Sequence, residues 1–227
     1  MDPLAGSTWS SPGTVAGFSQ SPPNGVLMEF ARSELQRIGS GRALDLGCGA
    51  GRNGVPLARL GWDVLGTDLS WPMIRAAAER AVREDLTGRL HVALAPMDAL
   101  PAPDGSFDLV IAHGIWNLAR SSAEFRRAVR EAGRVAKPRA ALFVFTFSRN
   151  TLARNAEPVP GEPFVFTEFS GQPQCFLTED QLVSELRAAG FAPDSGVPFR
   201  ELNRPEPGSL QRGTGPVIYE AAFRRDV

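Results

Sequence analysis

Short apolar runs alternate with helical stretches along most of this chain. The runs are Ala43 to Leu46, Asp63 to Thr67, Leu90 to Ala95, Phe107 to Ala112 and Ala141 to Phe147. Helical stretches begin near Asn53, Ser70, Ser121 and Thr178. Strands that are apolar on both faces and alternate with helices predict an α/β fold, a doubly wound and mostly parallel sheet covered on both sides. Ahead of them, Val26, Leu27, Phe30, Leu35 and Ile38 fall largely on one helical face, and Gly39 and Gly41 end that helix. Ser70 reads as an N-cap with Pro72 in the first turn. Thr178 and Gln181 have capping-box spacing, and Gly190 is the expected stop.

Both ends depart from this rhythm. Residues 1–24 are rich in Gly, Pro and Ser and read as a loose arm, with Trp9 and Phe18 as possible docking points. Near the other end, VPFREL and PVIYEAAF read as two strands joined by the loop NRPEPGSLQRGTG, with no helix between them. That pattern predicts an antiparallel hairpin at one end of the sheet.

The most informative segment is ALDLGCGAGRNG, where a strand runs into Gly47, Gly49 and Gly51 and a helix follows. Open α/β sheets bind ligands at the carboxyl ends of their strands. Glycines there permit positive φ and let a ligand approach the backbone, and the following helix offers free N–H groups to an anion. The next strand ends in Asp68, 17 residues after Gly51. A carboxylate there can accept from both hydroxyls of a ribose; its plainer role is a turn or cap. Gly49, Gly51 and Gly54 also spell the dinucleotide fingerprint, so spacing alone leaves two cofactor classes open. Asp45, inside the first strand, favours the smaller cofactor, because dinucleotide folds usually place an apolar residue there. It can hold the loop's amides, or a ligand ammonium through water. After the third run, Met97 and Asp98 can read an adenine edge, by backbone and by carboxylate; the ordinary alternative for Asp98 is a turn residue.

In this order, DLGCGAG (Asp45 to Gly51), TDLS (Thr67 to Ser70), MDALPAPDGSFDLV (Met97 to Val110) and FLTEDQLVSELRAAGF (Phe176 to Phe191) resemble the class I S-adenosylmethionine-dependent methyltransferases. The resemblance covers roughly Gly41 to Phe147 and extends more weakly to Phe223. It implies a Rossmann-like, seven-stranded sheet whose last strand is antiparallel. It also implies S-adenosyl-L-methionine as cofactor and assigns positions around it. Asp45 and Gly47, Cys48, Gly49 and Gly51 would lie along the methionine part. Asp68 would bind ribose, with Leu69 and Met73 beside the adenine and Met97 and Asp98 at its rim. The backbone of Ala112 and His113 would reach the ligand's amine. Within the family, GCGAGRN looks somewhat like the tellurite-resistance type. The fourth strand ends in AHGIW, which lacks the N-P-P-Y type signature of nucleobase and amide methylation.

Methyl transfer from a sulfonium needs a positioned nucleophile, and a base only when the acceptor arrives protonated. His113 is the candidate base, since histidine titrates near neutrality; the alternative is a role in backbone and packing alone. His91 reads as structural or surface, Tyr219 as core, and Cys48 as a small packing residue. The acceptor pocket is expected from the arm with Trp9 and Phe18, from Gly114 to Asn117, and from the long segment Ser148 to Gln174. Phe164, Phe166 and Phe169 in that segment suit a flat acceptor or fill the core, and Arg149, Arg154 and Asn155 either meet an anion or face solvent.

With 227 residues and 43% hydrophobic content, the chain can form one domain with its own core. The expected divisions are an arm and helix (1–40), a cofactor core (41–147), a substrate lid or loop (148–178), and a last helix with hairpin (179–227). A net charge of −1 offers no basic field for nucleic acid or membrane. Two cysteines make no disulfide framework, and no close Cys or His pair suggests a metal. Without a signal pattern or spanning segment, a cytoplasmic enzyme acting on a small molecule is expected, with an O, N or S/Se/Te nucleophile. Rival readings are an NAD(P)-dependent oxidoreductase on the same loop, and a non-catalytic cofactor sensor.

Overall fold

A computed structural model describes residues 2–204 and 215–226. One sheet organises the chain, in the order β3-β2-β1-β4-β5-β10-β8, with β9 also paired to β10. The parallel strands are β1 (Arg42–Leu46), β2 (Asp63–Asp68), β3 (Leu90–Leu94), β4 (Phe107–His113) and β5 (Ala136–Phe147). The order reverses at β1, so a crevice opens between the ends of β1 and β4, where such sheets bind ligands. The long β10 (Ile218–Arg225) runs antiparallel to β5, β8 (Phe191–Pro193) and β9 (Arg200–Leu202).

The helices cover both faces. Leu27, Phe30 and Ala31 of α2 (Gly25–Ile38), Val55 and Leu57 of α3 (Gly54–Leu60), and Ala81 of α4 (Trp71–Arg83) join Trp62 and Phe143 in one core. On the opposite face, Phe125 and Val129 of α5 (Ser122–Val135) and Leu182 and Leu186 of α6 (Glu179–Ala188) pack against Val110, Leu142 and Phe223. The two cores explain why the strands read as apolar on both sides.

Local signals set the helix starts. Asn24, Ser70, Ser121 and Thr178 each accept an amide of the first turn, and Thr178 with Gln181 forms the full capping box. Gly190 follows α6 with φ at 81°, a conformation that favours glycine. The Ser70 hydroxyl also lies 2.9 Å from that of Ser10. Ser70→Ala is expected to lower stability by about 1 kcal/mol, the usual worth of such a cap, read by urea denaturation.

Three expectations change. The arm is not loose throughout: Thr8–Ser10 forms a turn of 3-10 helix and Pro12–Gln20 forms α1, capped by Ser11. Pro12 suits a first helical turn because its missing N–H has no intrahelical partner there. The tail holds three strands rather than two, because Phe191–Pro193 also pairs with β10; three residues are too few to show alternation. The segment after β5 is partly built into the body. Val165–Phe166 (β6) pairs with Gln174–Cys175 (β7), and Phe164 and Phe166 are buried, whereas Phe169 is exposed. The centre of the expected tail loop, residues 205–214, lies outside the described residues.

Candidate active site

The glycine loop follows β1 with Gly47, Gly49 and Gly51 at φ of 63°, 53° and 76°. A side chain at Gly47 would also strike Ile115, 2.7 Å from the position of a Cβ. The Cys48 amide donates to the Thr67 carbonyl (2.9 Å), which ties the loop to the end of β2. Cys48 is buried over Gly66, and burial raises its thiol pKa well above the ordinary value, so it packs rather than reacts. From α4, Arg80 donates to the Ala50 carbonyl at 2.9 Å.

Asp68 closes the loop. Its Oδ2 accepts from the Gly49 amide at 2.9 Å and its Oδ1 from the Ser70 amide at 2.8 Å. The Gly49 N–H is therefore committed within the protein rather than offered to a ligand. Burial raises the Asp68 pKa, and these amides oppose the rise. A carboxylate has about four lone-pair sites, so this one keeps acceptor capacity for two hydroxyls.

Asp45 lies under the loop, 2% exposed, and its Oδ2 has no hydrogen-bond partner among the described residues. Burial dominates its pKa, which stands at about 7; the Arg52 charge pulls it down and Asp68 pushes it up. Arg52 extends to the end of β4, where its Nη2 lies 2.8 Å from His113 Nδ1 and 3.2 Å from Nε2. The His113 ring stacks on Phe145 at 4.2 Å between centroids. Burial first, and the Arg52 charge second, lower the His113 pKa to about 3. Such an imidazole is neutral at physiological pH and a poor proton acceptor.

The other expected residues are dispersed around this centre. Met73 is buried, with its sulfur 3.8 Å from where a Cβ on Gly49 would lie. Leu69 and Met97 are half-buried, and Ala112 is buried level with Leu46 across the β1–β4 pairing. The Asp98 carboxylate accepts from Arg127 of α5 at 3.0 Å. Its side chain is thus occupied by a neighbour that the sequence order does not reveal. Arg149 donates to the carbonyls of Ala153 and Ala156, holding its own loop rather than meeting an anion. His91 is on the surface and Tyr219 in the core.

A family model described as "Methyltransferase domain" matches residues 43–139. The 27-O-demethylrifamycin SV methyltransferase of Amycolatopsis mediterranei is 30% identical over 173 residues, covering 72% of this chain and 58% of that one. The ubiquinone/menaquinone biosynthesis C-methyltransferase UbiE of Geotalea daltonii is 28% identical, covering 71% of this chain and 75% of that one. The chain belongs to the class I S-adenosylmethionine-dependent methyltransferases. Among solved structures, the CcbJ methyltransferase of Streptomyces caelestis matches the fold with a TM-score of 0.68 at 16% identity, over 97% of this chain and 98% of that one. The present chain thus spans just over half the length of the rifamycin relative and about three quarters of the quinone relative.

The methyltransferase family's cofactor is S-adenosylmethionine, and the residues present fit it. The orphaned Asp45 oxygen wants a donor such as an ammonium or its water, the glycines leave room at the backbone, and Asp68 has acceptor capacity to spare. Phe18 was expected on the acceptor side, whereas Arg52, Asn24 and Glu220 were missed. Phe18 of α1 lies 3.5 Å from the Cβ position of Gly49, and the Arg52 guanidinium sits 6.0 Å from its ring. Asn24 Nδ2 lies 3.3 Å from His113 Nε2 and donates to Glu220 Oε2 at 2.8 Å. One signal was available: Glu220 is a lone charge in the apolar run VIYEAAF.

Proposed function

We propose that this chain moves the methyl group of S-adenosylmethionine to a small-molecule acceptor by in-line displacement. The observation that carries the reading is the positive-φ glycine loop at the sheet's switch point, closed by Asp68. When bound, the cofactor supplies a methyl group already activated on a sulfonium. The chain's own residues then have three tasks. Asp45 and the loop hold the amino-acid end, Asp68 holds the ribose, and Leu69, Met73, Met97 and Asp98 surround the adenine. The end of β4 and the turn after it, from Ala112 to Asn117, face the transfer. His113 stands there as a neutral imidazole, and service as a base requires Arg52 to leave it.

The division of labour follows the expected segments. Residues 41–147 hold the cofactor, and the acceptor is met by the arm and first helix (1–40), the segment 148–178, and the last helix and strands (179–227). Action on a cytoplasmic metabolite or natural-product intermediate, without nucleic acid or membrane, is part of the proposal. Among the described residues, no helix is long and apolar enough to cross a membrane.

Equilibrium dialysis with tritiated S-adenosylmethionine, in parallel with NAD(P)H, tests the reading. Retention of the first and not the second is expected, and the reverse would overturn it. Asp45 adds a pH dependence. A cationic ammonium favours the carboxylate, so the group protonated below about pH 7 must lose its proton as the ligand binds. Affinity for S-adenosylhomocysteine is therefore expected to rise with pH through about 7, by at most tenfold per unit, and to flatten in Asp45→Asn. A flat wild-type curve from about pH 6 to 8 contradicts this role.

A further inference from the structure

Glu220 is 3% exposed, yet it belongs to no ion pair among the described residues. Its one hydrogen-bond partner among them is the Asn24 amide, at 2.8 Å. Burying a carboxylate with a single neutral donor is costly, because most of its lost hydration is not replaced. Arg200, its register partner on β9, is exposed and makes no ion pair with it among the described residues, and Arg52 is spent on His113.

The position of Glu220 gives that deficit a meaning. β10 pairs Glu220 with Phe145, and β5 pairs Phe145 with His113. The three residues therefore lie level across adjacent strands, and stacking puts the His113 ring against Phe145. Asn24 touches both His113 and Glu220, so all three side chains share the face covered by α2. Glu220 stands two strands beyond the end of β4, on the side away from the glycine loop. Asn24 cannot turn aside easily, because its Oδ1 caps α2 by accepting from the Leu27 amide at 2.9 Å. The 3-10 turn and α1 pack on α4, with Phe18 of α1 beside Arg52, and contain no buried residue.

Resting on the methyltransferase reading, we propose that Glu220 is the carboxylate of the acceptor pocket and that it selects a protic acceptor, a hydroxyl or an amine. It accepts the acceptor's O–H or N–H hydrogen bond, which supplies the donor that the buried carboxylate lacks. As the acceptor's lone pair forms the new bond to the methyl carbon, the carbon–sulfur bond breaks and its electrons return to sulfur. The acceptor's proton passes to Glu220. The same charge repels anionic nucleophiles, so thiolates, selenide and telluride are excluded from this pocket despite the likeness of GCGAGRN to the tellurite-resistance type.

The test uses the full chain with Glu220→Gln and Glu220→Asp. Calorimetric binding of S-adenosylhomocysteine comes first. Failure of the wild type to bind ends the methyltransferase reading; binding by the variants shows that they are folded and leaves only Glu220 in question. Should E220Q not bind, E220D alone, which keeps the charge but draws it back by one methylene, carries the comparison. Two probe panels are then presented to the homocysteine complex and, separately, to tritiated S-adenosylmethionine: phenols with primary amines, and thiols with selenide. Wild type is expected to bind and label the first panel only. E220Q is expected to lose measurable probe binding and about 10²-fold or more in labelling rate, with E220D between. Labelling of the second panel, of neither panel, or undiminished in the variants overturns the assignment.

Discussion

Replacing Asp68 with alanine is expected to weaken S-adenosylhomocysteine binding by about 1–3 kcal/mol, roughly 5- to 150-fold, measured by calorimetry. The substitution acts twice. It removes a charged acceptor from the place where ribose hydroxyls are proposed to bind. It also deprives the Gly49 and Ser70 amides of their partner, so the bend of the loop loses its closure. Asp68→Asn separates the two effects. An amide keeps one acceptor oxygen and can satisfy one of those two backbone groups, so its loss should be smaller. Affinity unchanged in both variants would remove the ribose role. Affinity lost in alanine and fully kept in asparagine would assign the effect to the loop alone.

Acid is expected to dismantle an ion cluster on the other side of the molecule. Glu34 of α2 accepts from Arg224 of β10, with both Arg224 Nη atoms 2.8 Å from its two oxygens, and from Arg37 at 2.6 Å. Burial pushes the Glu34 carboxyl up, but the hydrogen bonds from Arg224 and then Arg37 outweigh it and hold the pKa at about 2, from an ordinary 4.5. A depressed carboxylate stabilises the fold above its unfolded pKa and loses that contribution as pH falls through its folded one. The loss is thus expected between about pH 4.5 and 2, and amounts to about 3 kcal/mol at neutral pH. Glu34→Gln is expected to lower stability by about that much at pH 7 and to flatten the curve across that window, read by urea denaturation at each pH. Wild type and variant falling in parallel with acid would show that Glu34 is not the group responsible. Asp45 and Asp68, whose pKa values are raised, cannot mimic the effect because their contributions slope the other way.

The helices were legible because their determinants are local. A cap such as Ser70 or Thr178 lies within four residues of the amide it satisfies, and apolar spacing repeats over one turn. The glycine loop was legible for the same reason, since the glycines and the strand before them are contiguous, and Asp68 lies one helix and one strand further on. The arm misled because its composition resembles a linker. Ser11 and Pro12 start a real helix there, whose side chains lie on other elements rather than in a core.

The cluster of His113, Asn24 and Glu220 was hidden. His113 and Asn24 are 89 positions apart, and Asn24 and Glu220 are 196 apart, yet single hydrogen-bond distances separate them. Their meeting depends on the register of β10 against β5 and on where α2 starts, and neither follows from the residues around them. Asp98 and Arg52 show the same limit, since each has a distant partner that its own segment does not announce. By itself the sequence determined the alternation of elements, the glycine bend and the acid that answers it, because each is encoded within a few turns of chain. Only the tertiary structure decided which charges are paired and which are buried with few partners. Strand register and face-to-face packing set those distances, and they are properties of the whole sheet.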